Sequence, residues 1–103
     1  MSRHQKLLDM LSRSPDDVFL NFAVAMEFSK GGETDQAVAH FDRALGCDDK
    51  YLAAYYHKGS ALLQVGRVEQ ARSTLLGGIS KARQLGDQHA AEEMETLLAG
   101  MPG

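Results

Sequence analysis

Tryptophan is absent from this 103-residue chain, and cysteine and proline are nearly so. The one thiol, Cys47, cannot close an internal disulfide, so no such cross-link staples the fold. Only Pro15 and Pro102 lack a backbone donor, which leaves the long stretch between them free to be helical. No apolar run approaches the ~20 residues that a membrane-spanning helix needs. The segment after Met1-Ser2-Arg3-His4-Gln5-Lys6 is apolar over too short a distance for a secretory signal core. From these absences the cytoplasm is the expected compartment, and no membrane partner is expected. Charge of one sign is missing too. Eleven Lys and Arg stand against 14 Asp and Glu, a net charge of −3. The densest basic set is Arg67, Arg72, Lys81 and Arg83, and Glu69 and Asp87 dilute it. Counterion release on nucleic acid needs clustered cations, so no nucleic-acid partner is expected either.

What the chain does have is 44% hydrophobic and 24% charged residues, the balance of a folded globular protein. The length suits one domain, 1–103, with a thin core. Helix punctuation is dense. An amphipathic helix is expected over about Arg3 to Arg13, carrying Leu7, Leu8, Met10 and Leu11. Ser14-Pro15-Asp16-Asp17 then reads as a helix start, with Ser14 as cap and Pro15 in the first turn. That helix should run to about Lys30 and stop at Gly31-Gly32. Thr34 is the expected cap of the next, which ends near Gly46. Asp48 or Asp49 opens another, ending at Gly66. A longer one spans about Arg67 to Leu85 and ends at Gly86. Asp87 caps the last, which ends near Gly100. The expectation is thus all-α: six helices, no strand, and short connections that make sequence neighbours antiparallel. In the long helix, Val68, Ala71, Leu75, Gly78, Ile79, Ala82 and Leu85 step by three and four, the spacing of a core stripe.

Laid on itself with a 34-residue shift, the chain matches small residue to small and large apolar to large apolar. Ala25 falls on Gly59, Phe28 on Leu62, Ala37 on Ala71, Phe41 on Leu75 and Ala44 on Gly78. Residues 55–75, Tyr55-Tyr56-His57-Lys58-Gly59-Ser60-Ala61-Leu62 and then Ala71-Arg72-Ser73-Thr74-Leu75, resemble the tetratricopeptide repeat. Residues 21–41 look like a second copy, with Ala25 in the glycine slot and Phe28 in the tyrosine slot. Asn21 departs from the pattern in the tryptophan slot, and Lys58 departs in the leucine slot. The resemblance implies a right-handed superhelix of antiparallel helices: a capping helix over 1–14, repeat one over 16–49, repeat two over 50–86, and a capping helix over 87–100. The two flanking helices read as halves of neighbouring repeats. Half plus two plus half approaches the three units a solenoid usually needs.

The helix from Asp16 to Lys30 is apolar nearly all round, with only Asn21 and Glu27 polar between Val18 and Phe28. Such a helix needs cover on several sides. In the family it resembles, the first helix of each repeat lines a concave groove that receives peptides. The resemblance therefore implies a partner-binding groove of Phe19, Phe22, Met26, Tyr56, Ser60 and Leu63. Aromatic and methionine side chains suit that use. Three occupants fit this apolar surface: a protein or peptide partner, a second copy of the chain in a homodimer, or the last helix folded over it with Ala90, Met94, Leu97 and Leu98. A carboxylate clamp known in some members is missing, since the matching positions hold Phe22, Met26 and His57.

Nothing in the sequence assembles a catalytic or cofactor site. His89 and Glu92 form one H-x-x-E spacing with no second copy, so no metal site is expected. Gly77-Gly78 lies within the helical stripe without phosphate-loop spacing and suits close helix packing instead. The expected function is an adaptor that binds a partner peptide or helix. The alternative is a homo-oligomeric structural module using the same face. No enzyme activity and no cofactor are expected.

Overall fold

The structure, a computed structural model, describes residues 2–102. Six helices fill them: α1 (Arg3–Arg13), α2 (Val18–Lys30), α3 (Thr34–Cys47), α4 (Leu52–Gln64), α5 (Val68–Leu85) and α6 (Gln88–Ala99). No strand occurs among the described residues. The ends are set by local chemistry. Asp17 Oδ1 accepts the Leu20 amide at 2.8 Å, and Asp87 Oδ1 accepts the Ala90 amide at 3.0 Å; both satisfy donors that a first helical turn leaves open. Gly32, Gly66 and Gly86 turn the chain at φ of 76°, 79° and 74°, backbone that an L side chain resists.

Three helix starts differ from the sequence expectation. Ser14 does not cap α2. It follows the last residue of α1, and its amide donates to the Leu11 and Met10 carbonyls. Pro15-Asp16 forms a turn before the Asp17 cap, not a first helical turn. Thr34 lies inside α3, with Glu33 ahead of it making no side-chain cap. Asp48 and Asp49 belong to a turn in which Asp48 Oδ1 accepts the Lys50 amide at 3.0 Å, so α4 begins only at Leu52. Aspartate bonds its own neighbourhood as readily as it caps, which is why both outcomes fit the same letters.

Each helix packs on its neighbours in sequence, and beyond that α2 meets α4 and α4 meets α6. Among the described residues the backbones of α1 and α3, and of α3 and α5, stay more than 8 Å apart between Cα atoms. The first helices of successive hairpins therefore crowd together on one side, while the second helices splay apart on the other. The core follows the same arrangement. Phe41, fully buried, sits with Ala25, Ala37, Ala54 and Ala61 between α2, α3 and α4. Leu62, Ala71, Leu75, Ile79, Ala82, Ala91 and Met94 join α4, α5 and α6. Leu7, Leu11, Leu20, Ala23 and Val24 hold α1 to α2.

Small residues set the helix spacing. A Cβ on Gly59 would lie 2.7 Å from Leu75 Cγ. A Cβ on Gly78 would lie 2.6 Å from Tyr55 Cβ and 2.5 Å from Met94 Sδ, so this one glycine admits both α4 and α6 against α5. The two departures from the repeat pattern are also accounted for. Asn21 is fully buried, and its Nδ2 donates to the Pro15 and Asp17 carbonyls at 2.9 and 3.0 Å. Its Oδ1 meets His40 Nδ1 at 3.2 Å, a hydrogen bond when the imidazole carries its proton on Nδ1. Lys58 runs its stem across to α3 and ends on Asp42 at 2.6 Å.

Candidate partner-binding groove

Phe22 of α2 and Tyr56 of α4 meet through the His57 ring, next to the side on which α4 packs on α6. Phe19, Phe22 and Met26 fall at i, i+3 and i+7 on α2, one face of a helix. Tyr56, Ser60 and Leu63 do the same on α4 at i, i+4 and i+7. Their exposures differ. Phe19 is 63% exposed, an aromatic ring largely in water at the first turn of α2. Phe22 is half-buried, with its ring 5.9 Å from Phe41, 5.2 Å from Tyr51 and 5.6 Å from His57 between centroids. It therefore belongs partly to the core. Met26 is half-buried against the Phe41 cluster, and Tyr56 and Leu63 against the cluster of α4, α5 and α6. Ser60 is half-buried. Phe22 and His57 bring the two faces together, while Phe19 has no aromatic partner among the described residues.

The surface continues beyond the six residues into a cleft of about 400 Å³ between α4 and α6. Leu52, Ala53, Tyr56 and His57 form one wall; Asp87, His89, Ala90, Glu93 and Met94 form the other. His57 stands at the junction, its ring edge-on to both Phe22 and Tyr56 at 5.6 and 5.2 Å. Burial pulls the His57 pKa below its ordinary 6.5, against a smaller opposing pull from the Glu93 carboxylate. Burial thus favours the neutral imidazole. The sequence offers α6 as a half-repeat and places Ala90 and Met94 against the apolar surface; it does not show that Asp87, His89 and Glu93 wall a cleft against α4.

The last helix does not cover α2. Among the described residues no Cα of α6 comes within 8 Å of α2, so α6 does not close over Phe19 and Phe22, while on the α4 half Tyr56 and Leu63 share a core with Ala90, Met94, Leu97 and Leu98. His89 pairs with Glu93 at 3.3 Å, one turn on, and not with Glu92. Among the described residues no three His, Cys, Asp or Glu side chains gather as a metal site would require. No helix among them is long and apolar enough to cross a membrane.

The model of the tetratricopeptide repeat matches residues 30–99, well over half of the chain and the whole of α3 to α6. The chain belongs to the tetratricopeptide-repeat family. A TPR repeat-containing protein of Pseudomonas aeruginosa is 29% identical over 89 residues, which cover 86% of this chain and 85% of that protein. Among solved structures, a Bordetella parapertussis protein is similar at 26% identity and a TM-score of 0.83, covering 96% of this chain and 86% of its own. A tetratricopeptide repeat domain protein from Salinibacter ruber is 30% identical with a TM-score of 0.75, covering 82% and 86% respectively. The TPR2B domain of yeast Sti1, solved in complex with pHsp70, shares the fold at a TM-score of 0.86 and 23% identity, covering 93% and 77%. Tetratricopeptide repeats generally mediate protein–protein interaction and are generally non-enzymatic.

Proposed function

We propose that this tetratricopeptide-repeat chain is an adaptor that holds a partner peptide or helix along the inner face of α2, α4 and α6. The observation that carries the reading is the state of Phe19. An aromatic ring 63% in water, one turn from half-exposed Phe22 and two from Met26, continues the face on which α2 and α4 meet. Rigid aromatic and adaptable methionine surface of that kind is what anchors a partner segment. The Sti1 domain supports the reading at the level of architecture, since the same stack of helices occurs there in a complex with pHsp70. The carboxylate clamp known from some family members does not transfer, because Phe22, Met26 and His57 occupy the matching positions.

The alternative is a homodimer through the same face. It draws support from the same exposed apolar surface, which a second copy would cover equally well. Light scattering across a concentration range separates the two: a persistent mass near twice 11.2 kDa favours self-association. For the adaptor, the variant of choice is Phe19→Ser with Met26→Ser. Phe22 and Met26 both pack on the Phe41 cluster, so Phe19→Ser alone is the surface probe least coupled to folding, and a urea titration of the double variant checks that its core is intact. Partner capture should drop at least tenfold in the double variant with helicity unchanged. Capture at the level of the parent protein would overturn the groove reading.

A further inference from the structure

We infer that the α4–α6 end of the groove takes a cationic side chain, so that the partner is a basic amphipathic segment, with apolar residues for α2 and a lysine or arginine for the cleft. The inference rests on the groove reading above and adds its polarity. The cleft walls combine the Tyr56 ring and the apolar Leu52, Ala53, Ala90 and Met94 with two carboxylates, Asp87 and Glu93. No lysine or arginine lines it. Among the described residues Glu93 has an ion pair only with His89, which counts only when that imidazole is protonated. Asp87 commits Oδ1 to the first turn of α6, and the helix end there contributes roughly half a positive charge. The cleft is thus left about one to two charges negative. Burial favours the neutral form of His57, with Glu93 pulling weakly the other way, so this ring is a poor counter-charge for the two carboxylates.

Complementarity follows from this composition. A lysine or arginine side chain carries an apolar stem and a charged head. The stem matches Leu52, Ala53 and Ala90, the head matches Glu93 and Asp87, and the Tyr56 face offers a cation–π contact. An acidic segment would meet two carboxylates and no partnered cation, which disfavours it by like-charge repulsion. This is the opposite polarity to a clamp built for carboxylates. The apolar half of the same segment would lie over Phe19, Phe22 and Met26, which carry no charge.

The test uses the full chain, labelled with ¹⁵N, and two synthetic amphipathic helical peptides of identical apolar face, one with Lys and the other with Glu at every polar position. Amide shifts report where each binds. The Lys peptide should move Ala53, His57, Ala90 and Glu93 together with Phe19 and Phe22, and should bind at least fivefold tighter than the Glu peptide. Glu93→Gln should weaken the Lys peptide about two- to fivefold, the size expected for one partly exposed ion pair, and 0.5 M salt should shrink the gap between peptides. Equal binding of the two peptides at α2 would overturn the charge inference while leaving the groove reading standing. Shifts confined to residues outside α2, α4 and α6 would overturn both. No shift from the Lys peptide at millimolar concentration would overturn the inference as well.

Discussion

Gly77 and Gly78 are adjacent in α5, and replacing each by alanine should move stability in opposite directions. Both lie inside the helix, where alanine is favoured over glycine by about 1 kcal/mol. At Gly77 the new methyl would meet nothing within 4 Å, so the whole gain should appear. At Gly78 it would sit 2.6 Å from Tyr55 Cβ and 2.5 Å from Met94 Sδ. The methionine sulfur can swing aside. Tyr55 Cβ is fixed to the α4 backbone, so α4 and α5 must separate. Overpacking of this kind costs about 1–3 kcal/mol, and the upper end applies where backbone must move. The net expectation is about 1 kcal/mol of stabilisation for Gly77→Ala and about 1–2 kcal/mol of destabilisation for Gly78→Ala. Urea titrations read both directly, and thermal melts should part the variants by about 8 °C or more. A Gly78→Ala protein as stable as Gly77→Ala would show that α4 and α6 do not approach α5 as closely as described.

Three further outcomes follow from other parts of the fold. Burial is the main cause that holds both His40 and His57 below the ordinary 6.5, with Arg43 adding to the effect at His40 and Glu93 opposing it at His57. The stability they contribute is complete above pH 6.5 and is lost as pH falls through their depressed folded values, so denaturation midpoints should decline from pH 7 toward pH 5, and that slope should flatten in His40→Gln with His57→Gln. Asn21→Ala should cost about 1–3 kcal/mol in urea unfolding, since it strips the Pro15 and Asp17 carbonyls of a buried donor and leaves His40 unpartnered. Phe41→Ala, at the fully buried centre of the α2–α3–α4 cluster, should cost about 3–5 kcal/mol.

Helix number and order were legible because the periodicity and the glycines agree. The stripe from Val68 to Leu85 and the turns at Gly32, Gly66 and Gly86 each point to the same elements. Starts were less legible where aspartate and serine had two uses, as at Ser14 and Asp48, and only tertiary context chose between them. The pattern departures looked like weaknesses in sequence. In the fold Asn21 and Lys58 each find specific partners, the Pro15 and Asp17 carbonyls and Asp42, which no spacing rule announces. For the groove, the helical faces of α2 and α4 could be read off as i, i+3, i+7 and i, i+4, i+7 sets. The α6 wall could not, because the approach of α4 to α6 depends on Gly78 admitting Met94 beside Tyr55.

The most direct measurement is site-specific photo-crosslinking from the inner face. A benzophenone amino acid is placed at Phe19 and, as control, at Leu76 of α5, which is similarly exposed at 51%. Illumination in extracts of the native cell should give a discrete heteromeric product from position 19, lost on adding Met26→Ser, and none from position 76. A product only from position 76, or from neither position, would contradict partner recognition on the inner face; a product at twice 11.2 kDa from position 19 would assign that face to a second copy of the chain.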